Sequence, residues 1–213
     1  MHKLSAALLV FVGGFVIMVL EIIGARYLAK DFGGSFYVWV SQIGVILTAL
    51  ALGYFAGGAL ADWWRRTALL AWLLAPAGVF TFFIPAFAQS WIEAILNRHP
   101  GETIPLLWQK LDPVIGSTFI FLLPCFVLAT LSPYMVRLTV RHLGQVGRVS
   151  GLIYSASTVG SIAGVFVSGY VLIDYFSLTH IFRGMGALTV VLGLMCLGLD
   201  RCFRMQATEG TSG

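Results

Sequence analysis

An all-α, polytopic membrane protein with six spanning helices is the fold class this sequence predicts. Three observations carry that expectation. Of 213 residues, 59% are hydrophobic and only 10% are charged, against about 25% charged in soluble domains, so polar side chains cannot cover a water-exposed surface. The mean hydropathy is +0.91. The apolar residues also fall into six stretches long enough to cross a hydrocarbon core, which takes roughly 20 residues for ~30 Å. The net charge of +4 is small. No basic stripe lies away from the helix ends, which excludes a nucleic-acid partner.

The first stretch, 4–29, opens after His2 and Lys3 like a signal peptide. It runs on to about Leu28 without a small-residue cleavage site, so it is expected to be retained as a span. The second covers 36–61, after the break "KDFGGS", and the third 68–95, after "DWWRRT". A long break, "NRHPGETIPLLWQKLDP", precedes the fourth at 114–140. Within it "IPLLWQKL" reads as a short interfacial helix anchored by Trp108. The fifth stretch, 150–173, follows "RHLGQVGR", and the sixth, 180–202, follows "DYFSLT". Residues 1–204 are thus one transmembrane domain, and 205–213 are expected to be a disordered tail.

Orientation follows from the basic residues. Lys3, Arg65, Arg66, Arg141, Arg148, Arg201 and Arg204 share one side, while Lys30, Arg98 and Lys110 share the other. Both termini are therefore expected in the cytoplasm.

Span two contains "ALGYFAGG" (51–58) and span five "TVGSIAGV" (158–165), while "GARYLA" (24–29) echoes "MVRLTV" (135–140). Spans one to three would then repeat as four to six, in inverted topology. Inverted triplets of this kind build each half of major-facilitator transporters. Gly53/Gly57 and Gly160/Gly164 are GxxxG pairs, read first as close helix packing. Ser150, Ser157, Ser161 and Ser168 share one helix face, either as a packing seam or as the wall of a polar path.

The charges inside the apolar runs need a reason. Glu21 lies deep in span one, where an acid costs roughly 2.5–3.5 kcal/mol on insertion scales. Arg26 is near a boundary and can snorkel. It is poorly placed to pair with Glu21, because positions i and i+5 lie about 140° apart. The candidate partners on other helices are Arg137 by charge, and Tyr37, Gln42 and Tyr154 by hydrogen bonding. With Ser157 these form the candidate polar core. An intramembrane acid is a functional-site hypothesis: a proton relay, a cation site or a structural pair. His99 and His180 are isolated, and Cys125, Cys196 and Cys202 are scattered without a CxxC. No metal site, cofactor motif or catalytic constellation is legible.

"VLEIIGARYLAKDFGGSFYVWVSQIGVILTALALGYFAGGALAD", "SPYMVRLTV" and "GRVSGLIYSASTVGSIAGVFVSGYVLI" together resemble the membrane domain of spermidine synthase-like membrane proteins. These are fused major-facilitator/spermidine synthase proteins, mostly bacterial. The likeness covers about residues 14–173. By position it implies recurrent polar roles for Glu21, Arg26, Tyr37, Trp39, Ser132, Arg137, Arg148, Ser150, Tyr154, Ser157 and Thr158. Asp62, Arg65 and Arg66 resemble the charged loop after the second helix of major-facilitator transporters, and with Arg148 they form a candidate cytoplasmic latch. The simpler alternative is that these arginines only hold topology. These 213 residues contain no stretch that resembles the family's soluble synthase domain or its Gly-rich nucleotide turn, so aminopropyl transfer is not expected of them alone.

The resemblance implies a bacterial inner-membrane module for transport or channelling of a small, polyamine-like cation. It would work as a homodimer or with membrane-protein partners, and with a separate soluble synthase-like protein. The alternative is a non-catalytic anchor subunit of a larger membrane complex.

Overall fold

The computed structural model describes residues 2–33, 36–64, 66–98, 105–140 and 143–209. Among them are six membrane-length helices and no strand: α1 (His2–Phe32), α2 (Phe36–Trp63), α3 (Thr67–Leu96), α4 (Leu106–Thr139), α5 (Val146–Tyr175) and α6 (Leu178–Glu209). In hydrocarbon every backbone donor must find its acceptor within the segment, so apolar runs of this length fold as helices. The protein is a multi-pass membrane protein. With six crossings both termini lie at one end of the bundle, here called the terminal end; the other is the far end. Gly33, at φ 84°, closes α1 in the left-handed conformation that favours glycine.

Two boundaries differ from those read in the sequence. The segment around Trp108 is not a separate interfacial helix but the opening turns of α4, which starts at Leu106 and runs through Pro113. Membrane helices tolerate such prolines, as α3 does at Pro76 and Pro85. At the C-terminus α6 stays helical to Glu209, past residue 205, where the tail was expected to begin.

Two π-helical segments interrupt the α geometry. One, Thr118–Leu122, lies in α4 just before Pro124, whose missing N–H cannot bond Ile120. The other, Ser168–Leu172, lies in α5. There Ser168 Oγ donates to the Gly164 carbonyl at 2.5 Å, competing with the backbone ladder.

The strongest pairings are α1 with α5, α2 with α4, and α3 with α6. α1 and α4 are central, with 61% of each apolar window buried. α2 and α5 are peripheral, at 28% and 17%. Exchanging α1–α3 with α4–α6 maps this pairing pattern onto itself, as an inverted repeat requires. The glycine seams match in detail. A Cβ at Gly57 would meet the Thr130 carbonyl at 2.6 Å, and one at Gly53 the Phe126 carbonyl at 2.5 Å. Gly164 and Gly160 stand in the same way against the carbonyls of Phe15 and Phe11. Aligning Phe11 with Phe126 sets Gly24 beside Thr139. The echo between 24–29 and 135–140 is therefore one helical turn out of structural register.

Polar contacts tie the terminal end. Buried Tyr134 donates its hydroxyl to the carbonyls of Trp64 and of Arg66, the latter at 2.8 Å, pinning the α2–α3 connection. Asp200 of α6 accepts from Thr67 Oγ1 at 3.2 Å and from the Ala68 N–H at 3.3 Å, capping α3. Replacing Tyr134 with phenylalanine is expected to cost about 0.5–1.5 kcal/mol, the net worth of a typical hydrogen bond, because both carbonyls keep a backbone donor, the Arg66 N–H for Trp64 and the Leu69 N–H for Arg66. A thermal unfolding curve in detergent checks this; an unchanged midpoint refutes it. At the far end Arg98 pairs with Asp112 at 2.9 Å and lies over the Trp108 ring. The Asp112 side chain is only 3% exposed.

Candidate functional site

Glu21 stands on the same face of α1 as Gly14, since seven residues are close to two full turns. Gly14 lies against α5, where a Cβ would collide with the Ser157 carbonyl, and Gly13 lies against Leu131 of α4. Glu21 therefore points into the groove between α4 and α5, about 10 Å from Gly14 toward the far end. It is half-buried. Buried Cys125 of α4 is within its electrostatic reach. Among the described residues Glu21 has no hydrogen-bond or ion-pair partner.

Arg137 is not that partner. Its Nε sits 2.6 Å from Asp62 Oδ1, an exposed pair that joins α4 to the end of α2. The reason is depth: Arg137 and Asp62 both lie at the terminal end, whereas Glu21 lies in the far half of α1. Asp62 is thus held by a helix of the other repeat rather than by its neighbour Arg66. The Arg66 carbonyl accepts from Tyr134, and its side chain is exposed. Arg148 is exposed as well. Arg65, Arg141 and His99 lie outside the described residues.

The other expected polar-core residues separate. Arg26 is exposed toward the far end, as a snorkelling anchor would be. Tyr37 is half-buried at the start of α2, with the Lys110 ammonium 5.2 Å from its ring centroid. Tyr154 is 46% exposed on α5. Ser157 accepts a long hydrogen bond, 3.5 Å, from Ser132 Oγ, linking α5 to α4. Further along the row, Ser161 Oγ donates to the Gly14 carbonyl at 3.3 Å, as in a packing seam, and Ser168 donates to its own helix. His180 exchanges a hydrogen bond with Ser177 at the start of α6.

Gln42 is fully buried and lies beside Gly24 of α1. Its Oε1 accepts from Ser117 Oγ of α4 at 2.6 Å, while Nε2 has no partner. Ser117 was not legible as a site residue, because only the register of α2 against α4 brings it to Gln42. The pair is half-satisfied, and such a pair is sensitive to loss of its one bond. Ser117→Ala is expected to destabilise by about 1–3 kcal/mol, whereas Gln42→Leu combined with Ser117→Ala is near neutral. Unfolding midpoints of the two variants decide; equal losses would contradict the assignment.

The arrangement is an unpartnered intramembrane carboxylate in an interhelical groove, with a half-satisfied amide at a similar depth on the neighbouring seam. Both π segments flank it. Phe121 of the α4 segment touches the Gly24 site, and the α5 segment contacts α1 directly. Single-turn π segments inside α-helices are frequently found at functional sites. Comparison with protein-family models, curated proteins and solved structures finds no match for the chain.

Proposed function

We propose that this chain is a transport-type or channelling module of the bacterial inner membrane for a small, polyamine-like cation, with Glu21 as the residue that meets it. One observation carries the reading. Glu21 is a carboxylate deep in a span that has neither cation nor hydrogen-bond donor among the described residues. Asp31, Asp62, Glu93, Asp112 and Asp200, nearer the helix ends, have partners, and Asp174, which has none among the described residues, is exposed at the end of α5 rather than set deep in a span. A charge without a partner in lipid is costly, and a cationic substrate is a partner that arrives only when needed. In this reading both termini are cytoplasmic. The resemblance to spermidine synthase-like membrane domains points the same way, and it adds a soluble synthase-like protein as a separate partner.

The exposed faces of α2 and α5 favour a second copy or other membrane helices as neighbours. That same exposure supports the second reading, an anchor subunit of a larger complex. Proteoliposomes of the purified chain test the proposal. Uptake of labelled spermidine, competed by other polyamines and not by a neutral diol of similar length, is the expected result. No charge-selective uptake, together with stoichiometric membrane partners in a mild-detergent purification, sinks the transport reading and establishes the anchor.

A further inference from the structure

A groove of about 550 Å³ runs along the membrane-facing junction of α2 and α4 at the far end, apart from Glu21. Along α2 it extends from Tyr37 to Thr48, about 16 Å at 1.5 Å per residue. That is close to the depth of one leaflet's hydrocarbon, half of ~30 Å. Besides the Tyr37 phenol at the mouth, its wall contains three hydroxyls, and each of these is tied to its own helix. Ser41 donates to the Tyr37 carbonyl at 2.6 Å, Thr48 to Gly44 at 2.8 Å and Thr118 to Val114 at 2.7 Å. What remains facing outward is hydrocarbon. Gly44 leaves the groove floor open, since a Cβ there would meet nothing within 4 Å. The π segment begins at Thr118, on the opposite wall.

The mouth has the opposite character. Lys110 is exposed there and has no carboxylate partner among the described residues. It lies 5.2 Å from the Tyr37 ring. Arg98, the other described cation of this connection, is already held by Asp112. A leaflet-deep apolar slot under an exposed ammonium and a phenol matches one kind of occupant. We propose that this groove binds an anionic glycerophospholipid of the surrounding bilayer, with one acyl chain along Gly44 and the phosphate at Lys110 and Tyr37.

Native mass spectrometry of the full chain in detergent, titrated with phosphatidylglycerol, phosphatidylcholine or inorganic phosphate, tests the site. The wild-type chain is expected to retain one phosphatidylglycerol about fivefold better than phosphatidylcholine, the effect of one basic residue near an anionic surface. Lys110→Ala is expected to erase that preference while keeping both lipids, and Lys110→Arg to preserve it. Gly44→Leu, whose Cβ has open space and whose side chain would occupy the slot, is expected to lose both lipids at an unchanged unfolding temperature. A phosphatidylglycerol preference that survives Lys110→Ala overturns the proposal. So does retention unaffected by Gly44→Leu, or displacement of the lipid by inorganic phosphate alone.

Discussion

Gly160→Leu is expected to prevent α1 and α5 from closing, and to give a chain that unfolds at much lower temperature or fails to accumulate. The Gly160 Cα rests against the backbone of Phe11, so a side chain there meets a carbonyl rather than a movable side-chain tip. Overpacked interiors lose about 1–3 kcal/mol when neighbours can adjust. Here the neighbour is main chain in the central helix, so the loss is set at the upper end, about 3 kcal/mol or more. Gly151→Leu, on the same helix with open space around it, is the control and should leave stability intact. Thermal unfolding of both in the same detergent is the measurement. Equal midpoints would mean that the α1–α5 seam does not hold the bundle together.

Glu21→Gln is the second large effect, and it moves function and stability in opposite directions. The amide keeps the shape of the side chain and removes the charge. Truncating one partner of a desolvated charge pair costs about 2–5 kcal/mol, so polyamine binding should weaken at least about thirtyfold. Stability should hold or rise, because an unpaired charge has left the membrane interior. A structural carboxylate behaves in the reverse manner, with a lower unfolding temperature and unchanged binding. Measuring both quantities on one preparation separates the two roles.

The six spans were legible because hydrophobic length alone decides them in a bilayer. The start of α4 was not, since Lys110, Asp112 and Pro113 read as a break. In the fold Asp112 is neutralised by Arg98, and the proline is absorbed. The glycine pairs announced close approach without saying against which helix. Glu21 could be singled out as an anomaly from its neighbours in sequence. Its lack of a partner could not, because that depends on the depth of Arg137 in another helix. The π segments left no periodic signature, and each arises from a local competition for backbone hydrogen bonds at Pro124 or Ser168.

The pairing of α1 with α5, α2 with α4 and α3 with α6 has a consequence for biosynthesis. Every principal contact joins the first half of the chain to the second, so neither half can complete a core as it leaves the ribosome. α1 enters the bilayer with Glu21 and waits, its glycine face bare, until α5 has been made. During that interval the nascent chain depends on insertion chaperones and is open to membrane proteases. Long-range contacts of this kind also make closure slow. Two separately translated halves, 1–98 and 105–213, should therefore be degraded when made singly and persist when made together.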